Sequence, residues 1–181
     1  MKNVSKITLS LALMLGLGIA SAHAQSATSD AKLEIKTALT ITKETGTEIN
    51  FGTLSAVTPG TDDIVLDANA AADNINTGAT TNVARFNVSG QAGANVVFTY
   101  DASVTLTNGT PANDITMTPL VVGAADSTAR STAAEVTATA VPLEATAGTY
   151  FVWVGGEILR FATAKATGTY TGTFNIAVDY N

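Results

Sequence analysis

The segment from Gly168 to Asn181 constrains the fold more than any other part of the chain. Aromatic, aliphatic or glycine residues occupy every second position, and Thr, Asn, Ala and Asp fill the positions between them. A period of two places one set on each face of an extended chain, so the pattern predicts a β-strand with one dry and one wet face. Because this strand closes the sequence, we expect it either to complete the protein's own sheet or to pair with a neighbouring chain. Its strand-pairing candidates are Gly168, Tyr170, Phe174, Ile176, Val178 and Tyr180.

A second alternating segment lies near the other end of the sequence, over residues 32–41. Its apolar positions alternate with charged or small ones, which predicts another long strand. For both segments a strand of the protein's own sandwich is the simpler interpretation, and addition to the sheet of another subunit is the alternative. The strand-pairing candidates here are Leu33, Ile35, Leu39 and Ile41.

The first residues have the layout of a secretory signal peptide. Lys2 and Lys6 precede a short apolar run from Ile7 to Ala20, and Ala22-His23-Ala24 is a small-x-small cleavage site. We therefore predict a signal peptide over 1–24, a flexible lead-in over 25–30 and one β-sandwich domain over 31–181. The protein would be periplasmic, on the cell surface or extracellular, with no transmembrane segment.

The composition of the mature chain excludes several kinds of chemistry. The only His of the sequence leaves with the signal peptide, and there is no Cys. Nucleophile systems built on Ser-His-Asp or Cys-His are therefore impossible, as are zinc or copper sites made from imidazole or thiolate. We expect no enzymatic activity and no cofactor.

The charge of the mature chain argues against nucleic acid as a partner. Loss of Lys2 and Lys6 leaves seven basic residues against fifteen acidic ones, a net charge of −8. Nucleic-acid binding requires a basic patch, and no Lys/Arg cluster exists. An anionic membrane surface is disfavoured for the same reason.

Between the two alternating segments, short strands and turns follow one another. Asn108-Gly109 is a strong tight-turn signal, and two small-residue loops cover Asp67–Thr80 and Gly123–Glu135. Gly155-Gly156 predicts a turn or bulge. About nine or ten short strands without a helical period predict an all-β antiparallel sandwich.

Several short motifs occur in a characteristic order: Asn50–Leu54, Ala84–Gly90, Leu106–Gly109, Val154–Gly156 and Gly168–Phe174. In this combination the chain resembles a secreted bacterial family known as domain of unknown function 4402, over roughly residues 31–181. The resemblance implies an exported, immunoglobulin-like β-domain, and it implies no activity.

A narrower resemblance concerns the last strand. Gly168 is fourteenth from the end and Tyr180 is penultimate, which is similar to subunits of chaperone–usher pili. That likeness implies strand addition between related subunits and a periplasmic chaperone as a partner. The disulfide of many such subunits is absent, since the chain has no Cys.

Other candidate sites have simpler explanations. An acidic loop could bind calcium, although solvated loop acids are the favoured interpretation. Glu157 and Asp179 are more typical of surface carboxylates than of a glycosidase pair. Trp153, Tyr150 and Phe151 are more typical of a core than of a sugar-binding face. The acidic-loop residues are Asp62, Asp63, Asp67, Asp73 and Asn74.

These observations favour a non-enzymatic, exported structural or adhesive surface protein, a pilus-like subunit that associates by strand addition. The alternative is a monomeric binding module for carbohydrate or another surface ligand. That module would use the two small-residue loops.

Overall fold

A computed structural model describes residues 29–54, 63–69, 83–161 and 163–181. The signal peptide predicted over 1–24 lies outside the described residues, as does most of the lead-in over 25–30. The chain divides into two units, residues 1–34 and residues 35–181. Of the first unit only 29–34 is described, and these residues form no strand.

The second unit is an antiparallel β-sandwich, as the sequence predicts. The described residues contain ten strands and two short 3-10 turns but no α-helix. The strands are β1 (Thr40–Lys43), β2 (Ile64–Leu66), β3 (Ala84–Ser89), β4 (Asn95–Tyr100), β5 (Val104–Leu106), β6 (Ile115–Ala124), β7 (Ala134–Glu135), β8 (Val141–Pro142), β9 (Thr149–Ile158) and β10 (Ile176–Tyr180).

The strands form two sheets. The larger has seven strands in the order β1-β3-β9-β6-β5, with β2 also paired to β9 and β7 to β6. The smaller has three strands in the order β10-β4-β8. All of the pairings are antiparallel.

The core lies between the inner faces of the two sheets. Val152 and Val154 of β9 pack in one cluster with Val96 and Phe98 of β4, and all four side chains are buried. Successive side chains of a strand point to opposite faces of the sheet. Every second residue of β4 and of β9 therefore points inward, and these side chains meet between the sheets.

Six of the strands follow the immunoglobulin arrangement. In chain order, strands A to F of that fold correspond to β1, β3, β4, β6, β9 and β10. With this assignment the larger sheet runs A-B-E-D, and β10 pairs with β4 as F pairs with C. In an immunoglobulin sandwich, strand G lies beside F. Among the described residues, no strand pairs with that side of β10.

The prediction of a turn or bulge at Gly155-Gly156 was wrong. β9 runs straight through this dipeptide and pairs with β2 on one side and β6 on the other. A Cβ at Gly155 would collide with the backbone carbonyl of Leu66. Here glycine permits the close approach of β2, which sequence inspection does not distinguish from a turn.

The predicted strand over 32–41 is confirmed only at its end. β1 begins at Thr40 and pairs with β3, whereas residues 29–39 lie in no strand. Leu33 and Ile35 are 85% and 84% exposed. At Leu33 and Ile35 the alternation therefore does not reflect burial within the single chain, whereas Leu39 and Ile41 are half-buried against the core.

Candidate strand-pairing site

The candidate site is the outer edge of β10. Its backbone is paired with β4 in a continuous register from Ile176 opposite Tyr100 to Tyr180 opposite Val96. Asp101 fixes the start of the strand, because its Oδ2 accepts hydrogen bonds from both the backbone N–H and the side-chain Nδ2 of Asn175, each at 2.8 Å. The strand is thus held on one side, while the described residues place no strand on its other side.

The side chains of β10 alternate as predicted. Ile176, Val178 and Tyr180 are half-buried and pack against the core, whereas Ala177 and Asp179 are exposed. The predicted strand over 168–181 is shorter than expected, however. Gly168 lies in a bend, and the residues before Ile176 contribute one isolated bridge, from Thr171 to Thr107.

Gly168 and Tyr170 therefore lie outside β10. The Tyr170 hydroxyl donates to the carbonyl of Ala166 at 2.8 Å and accepts from Asn108 Nδ2 at 3.3 Å. The bond to Asn108 ties the segment before β10 to the turn that follows β5. The two residues support the segment that leads into the strand and do not pair with β4.

The core is incompletely covered where β1 and β10 border it. Leu39 and Ile41 from the β1 side and Phe174 from the β10 side contact the core but remain half-buried. The Phe174 ring lies 6.3 Å from that of Phe86 and 6.2 Å from that of Tyr100, measured between centroids. Half-buried apolar side chains retain a driving force for association, at about 25 cal/mol per Å² removed from water.

Tyr180 joins the end of β10 to the chain that leads into β1. Its hydroxyl donates to the carbonyl of Thr37 at 2.6 Å and accepts from the backbone N–H of Gln91 at 2.6 Å. The Thr37 hydroxyl donates to Gln91 Oε1 at 3.0 Å, and Lys36 Nζ lies 5.2 Å from the centroid of the Tyr180 ring. We call these four residues the Tyr180 clamp.

Gly90 makes room for this clamp. A Cβ at Gly90 would lie 2.6 Å from the Tyr180 hydroxyl oxygen and 2.8 Å from a methyl carbon of Leu39. Both distances are shorter than real Cβ contacts, so a side chain here would displace the Tyr180 hydroxyl or the Leu39 methyl group. The segment Ala84–Gly90 therefore ends in a residue that lies directly against the clamp.

The structure does not bring the other candidate residues together as a reactive site. Glu157 and Asp179 lie in different sheets, on β9 and β10. The described residues contain no group of three or more His, Cys, Asp or Glu side chains placed to hold a metal ion. Asp63 Oδ1 accepts from the backbone N–H of Arg160, and Asp67 Oδ1 from that of Asn69. The remaining acidic-loop residues, Asp62, Asp73 and Asn74, lie outside the described residues.

The aromatic residues of β9 are mainly structural. Tyr150 and Trp153 are only 6% and 4% exposed, and burial raises the pKa of Tyr150. Arg85 lies over the rings of Phe151 and Trp153, at 4.9 and 5.7 Å from their centroids, and its guanidinium pairs with Glu44 at 3.0 Å. Sequence reasoning missed this cluster. The feature that could have indicated it is the position of Arg85 on the outward face of β3.

The family described as domain of unknown function (DUF4402) matches residues 39–180. The chain belongs to this family. The DUF4402 match begins just before β1 and ends at the last residue of β10, so Leu33 and Ile35 precede it. No match was found among curated proteins.

The described part of the chain contains no helix with the length and apolar character that a bilayer crossing requires.

Proposed function

We propose that this DUF4402 protein is an exported, non-enzymatic structural or adhesive surface subunit that associates by adding a β-strand to the outer edge of β10. The observation that carries the proposal is that three features occur together at this edge. β10 has one strand partner among the described residues, its inward side chains are half-buried, and it occupies the place of strand F beside the position of strand G.

Strand addition would pair the backbone groups at this edge and would also cover its half-buried side chains. Unpaired N–H and C=O groups of an edge strand can pair with another chain, and its main-chain hydrogen bonds supply affinity. Alternate side chains of the added strand would cover the half-buried Leu39, Phe174 and Val178. Specificity then comes from the match between the two alternating patterns.

The segment before Lys36 is the natural donor. Leu33 and Ile35 are large, exposed and spaced by two, which suits one face of an added strand. Burial of both side chains would contribute about 3–6 kcal/mol. Export and the absence of catalysis rest on the signal-like first residues and on the lack of Cys and of mature-chain His.

The test uses protein exported from a full-length gene and purified. Wild-type protein should form linear assemblies in negative-stain electron microscopy and sediment as a concentration-dependent series. The double substitution Leu33→Asp with Ile35→Asp should stay monomeric with an unchanged melting temperature, because both side chains are exposed in the single chain. A matched control is Leu159→Asp, an exposed apolar residue outside the segment, which should assemble normally.

Deletion of the whole segment through Lys43 is a poorer test, because it removes β1 from the protein's own sheet. Wild-type protein that remains monomeric at every concentration would contradict the proposal. A monomer that binds glycans would favour the alternative, a carbohydrate-binding module.

A further inference from the structure

The exposed face of β10 carries a single charge, and the proposed donor segment carries several. Asp179 is exposed between the half-buried Val178 and Tyr180. In the donor segment Lys32, Glu34 and Lys36 alternate with the apolar residues. When the apolar residues of the donor turn toward the core, its charges must line up beside Asp179 on the solvent side.

We propose that the partner is a second copy of this chain, whose residues 30–36 add antiparallel to β10 in one defined register. This inference rests on the proposed function. Antiparallel addition continues the pattern of every strand pair in the described structure and of strand G beside F in an immunoglobulin sandwich. The cross-strand pairs are Leu33–Val178, Ile35–Ile176 and Lys32–Asp179.

Charge and alternation together disfavour the neighbouring registers. A shift by one residue would turn Leu33 and Ile35 toward solvent. A shift by two residues in one direction brings Glu34 opposite Asp179, and in the other direction it brings Asp30 there. Like charges directly opposite each other destabilise a strand pair, whereas a Lys–Asp pair stabilises it.

The direction of the added strand also determines the form of the assembly. In the donor copy, Lys36 and Thr37 lie beside Tyr180. In the antiparallel register, the donor's Ile35 lies at the acceptor's Ile176, so the Tyr180 end of one copy faces the Ile176 end of the next. This relation is head-to-tail, the kind that gives a linear filament when its rotation does not close, whereas parallel addition would place two Tyr180 ends together, as a two-fold axis does in a closed dimer.

Engineered thiols test the register directly, because the chain has no Cys of its own. Directly opposed residues in an antiparallel pair lie about 4.5–5.5 Å apart between Cα atoms, within the range that a disulfide spans. Lys32→Cys with Asp179→Cys should give a ladder of covalent multimers on non-reducing gels. Glu34→Cys with Asp179→Cys reports the shifted register, and Lys36→Cys with Asp179→Cys reports parallel addition as a covalent dimer.

Two outcomes would overturn the register while the proposed function stands. One is filaments that cross-link only when cysteines replace Glu34 and Asp179, and the other is dimers that cross-link when cysteines replace Lys36 and Asp179. A Lys32–Asp179 link within one copy, which runs as a monomer, would overturn it too. Absence of any assembly in the wild-type protein would overturn both proposals.

Charge reversal gives a second readout. Asp179→Lys should raise the concentration for half-assembly about two- to fivefold, since an opposed charge pair changes the free energy by up to about 1 kcal/mol. Adding Lys32→Asp to Asp179→Lys should restore assembly. Asp126→Lys, an exposed loop substitution with the same change in net charge, should have no effect. Failure of the double variant to recover would overturn the pairing.

Discussion

Strands β9 and β10 show two ways in which the same fold uses an apolar strand. β9 lies between β3 and β6, also pairs with β2, and is buried on both faces along most of its length. β10 pairs only with β4 among the described residues, and half-buried and exposed positions alternate along it.

The two strands differ in the side chains that face away from the core. In β9 the outward Trp153 packs against Leu66, Ala68 and Ala133 in a cluster of its own. In β10 the outward positions are Ala177 and Asp179, which face solvent. A strand that is apolar on both faces belongs in a sheet that is covered on both sides, whereas strict alternation suits a strand with one face in solvent. The open edge of β10 is a separate property, seen in its single strand partner among the described residues. We infer that β9 carries stability and that β10 remains available for association.

The largest expected effect comes from truncating the central strand. Trp153→Ala should lower the free energy of unfolding by about 3–5 kcal/mol, because a large buried side chain is lost and a cavity is left. Ile176→Ala should lower it by no more than about 2 kcal/mol, because Ile176 is only half-buried. Urea titration of both variants measures the two losses.

Leu159→Ala serves as the surface control, with an expected change within about 0.5 kcal/mol. Equal losses for Trp153→Ala and Ile176→Ala would mean that β10 is as integral to the single domain as β9 is, and the comparison would fail.

Local patterns predicted the fold well because the spacing of apolar residues along a strand is a local property of the sequence. The apolar runs of β4 and β9 and the alternation of Ile176, Val178 and Tyr180 were sufficient to indicate an all-β sandwich. Gly155 was misread because its role depends on the Leu66 backbone, which lies far away in the sequence. Alternation alone also could not show that Leu33 and Ile35 lie outside the sheet.

The site was predicted only in part. The sequence indicates an alternating terminal strand, but the clamp brings Thr37, Gln91 and Tyr180 together from three distant segments. None of these residues is unusual in its own surroundings. Only the strand order places the start of β1, the β3–β4 connection and the end of β10 side by side.

The second expected effect tests that clamp. Tyr180→Phe removes the hydroxyl and both of its hydrogen bonds while it keeps the ring under Lys36, so the free energy of unfolding should fall by about 1–3 kcal/mol. Hydrogen exchange at the Gln91 amide should accelerate, because that N–H loses its acceptor. Tyr170→Phe is the matched control, since it loses a hydroxyl that donates to Ala166 and should leave exchange at Gln91 unchanged. Unaltered exchange at Gln91 in Tyr180→Phe would show that the clamp does not hold this end of β10.

The smallest expected effect lies in the loop beside the same end of the sandwich. The Glu144 carboxylate accepts backbone hydrogen bonds from Ala147 and from Thr146, the latter at 2.8 Å, and these bonds lower the pKa of Glu144. The loop in turn presents the carbonyl of Gly148 to the N–H of Gly90 at 2.9 Å.

A carboxyl group with a lowered pKa in the folded state stabilises the fold above its ordinary value of 4.5, and this contribution is lost as the pH falls through the folded-state pKa. Glu144→Gln should therefore be less stable than wild type at neutral pH, and the two should converge under acid conditions. Thermal unfolding at a series of pH values measures the difference. Curves that stay parallel down to acid pH would show that ionisation of Glu144 does not support the loop, and that the end of the sandwich next to the clamp is held by backbone contacts such as Gly90 to Gly148.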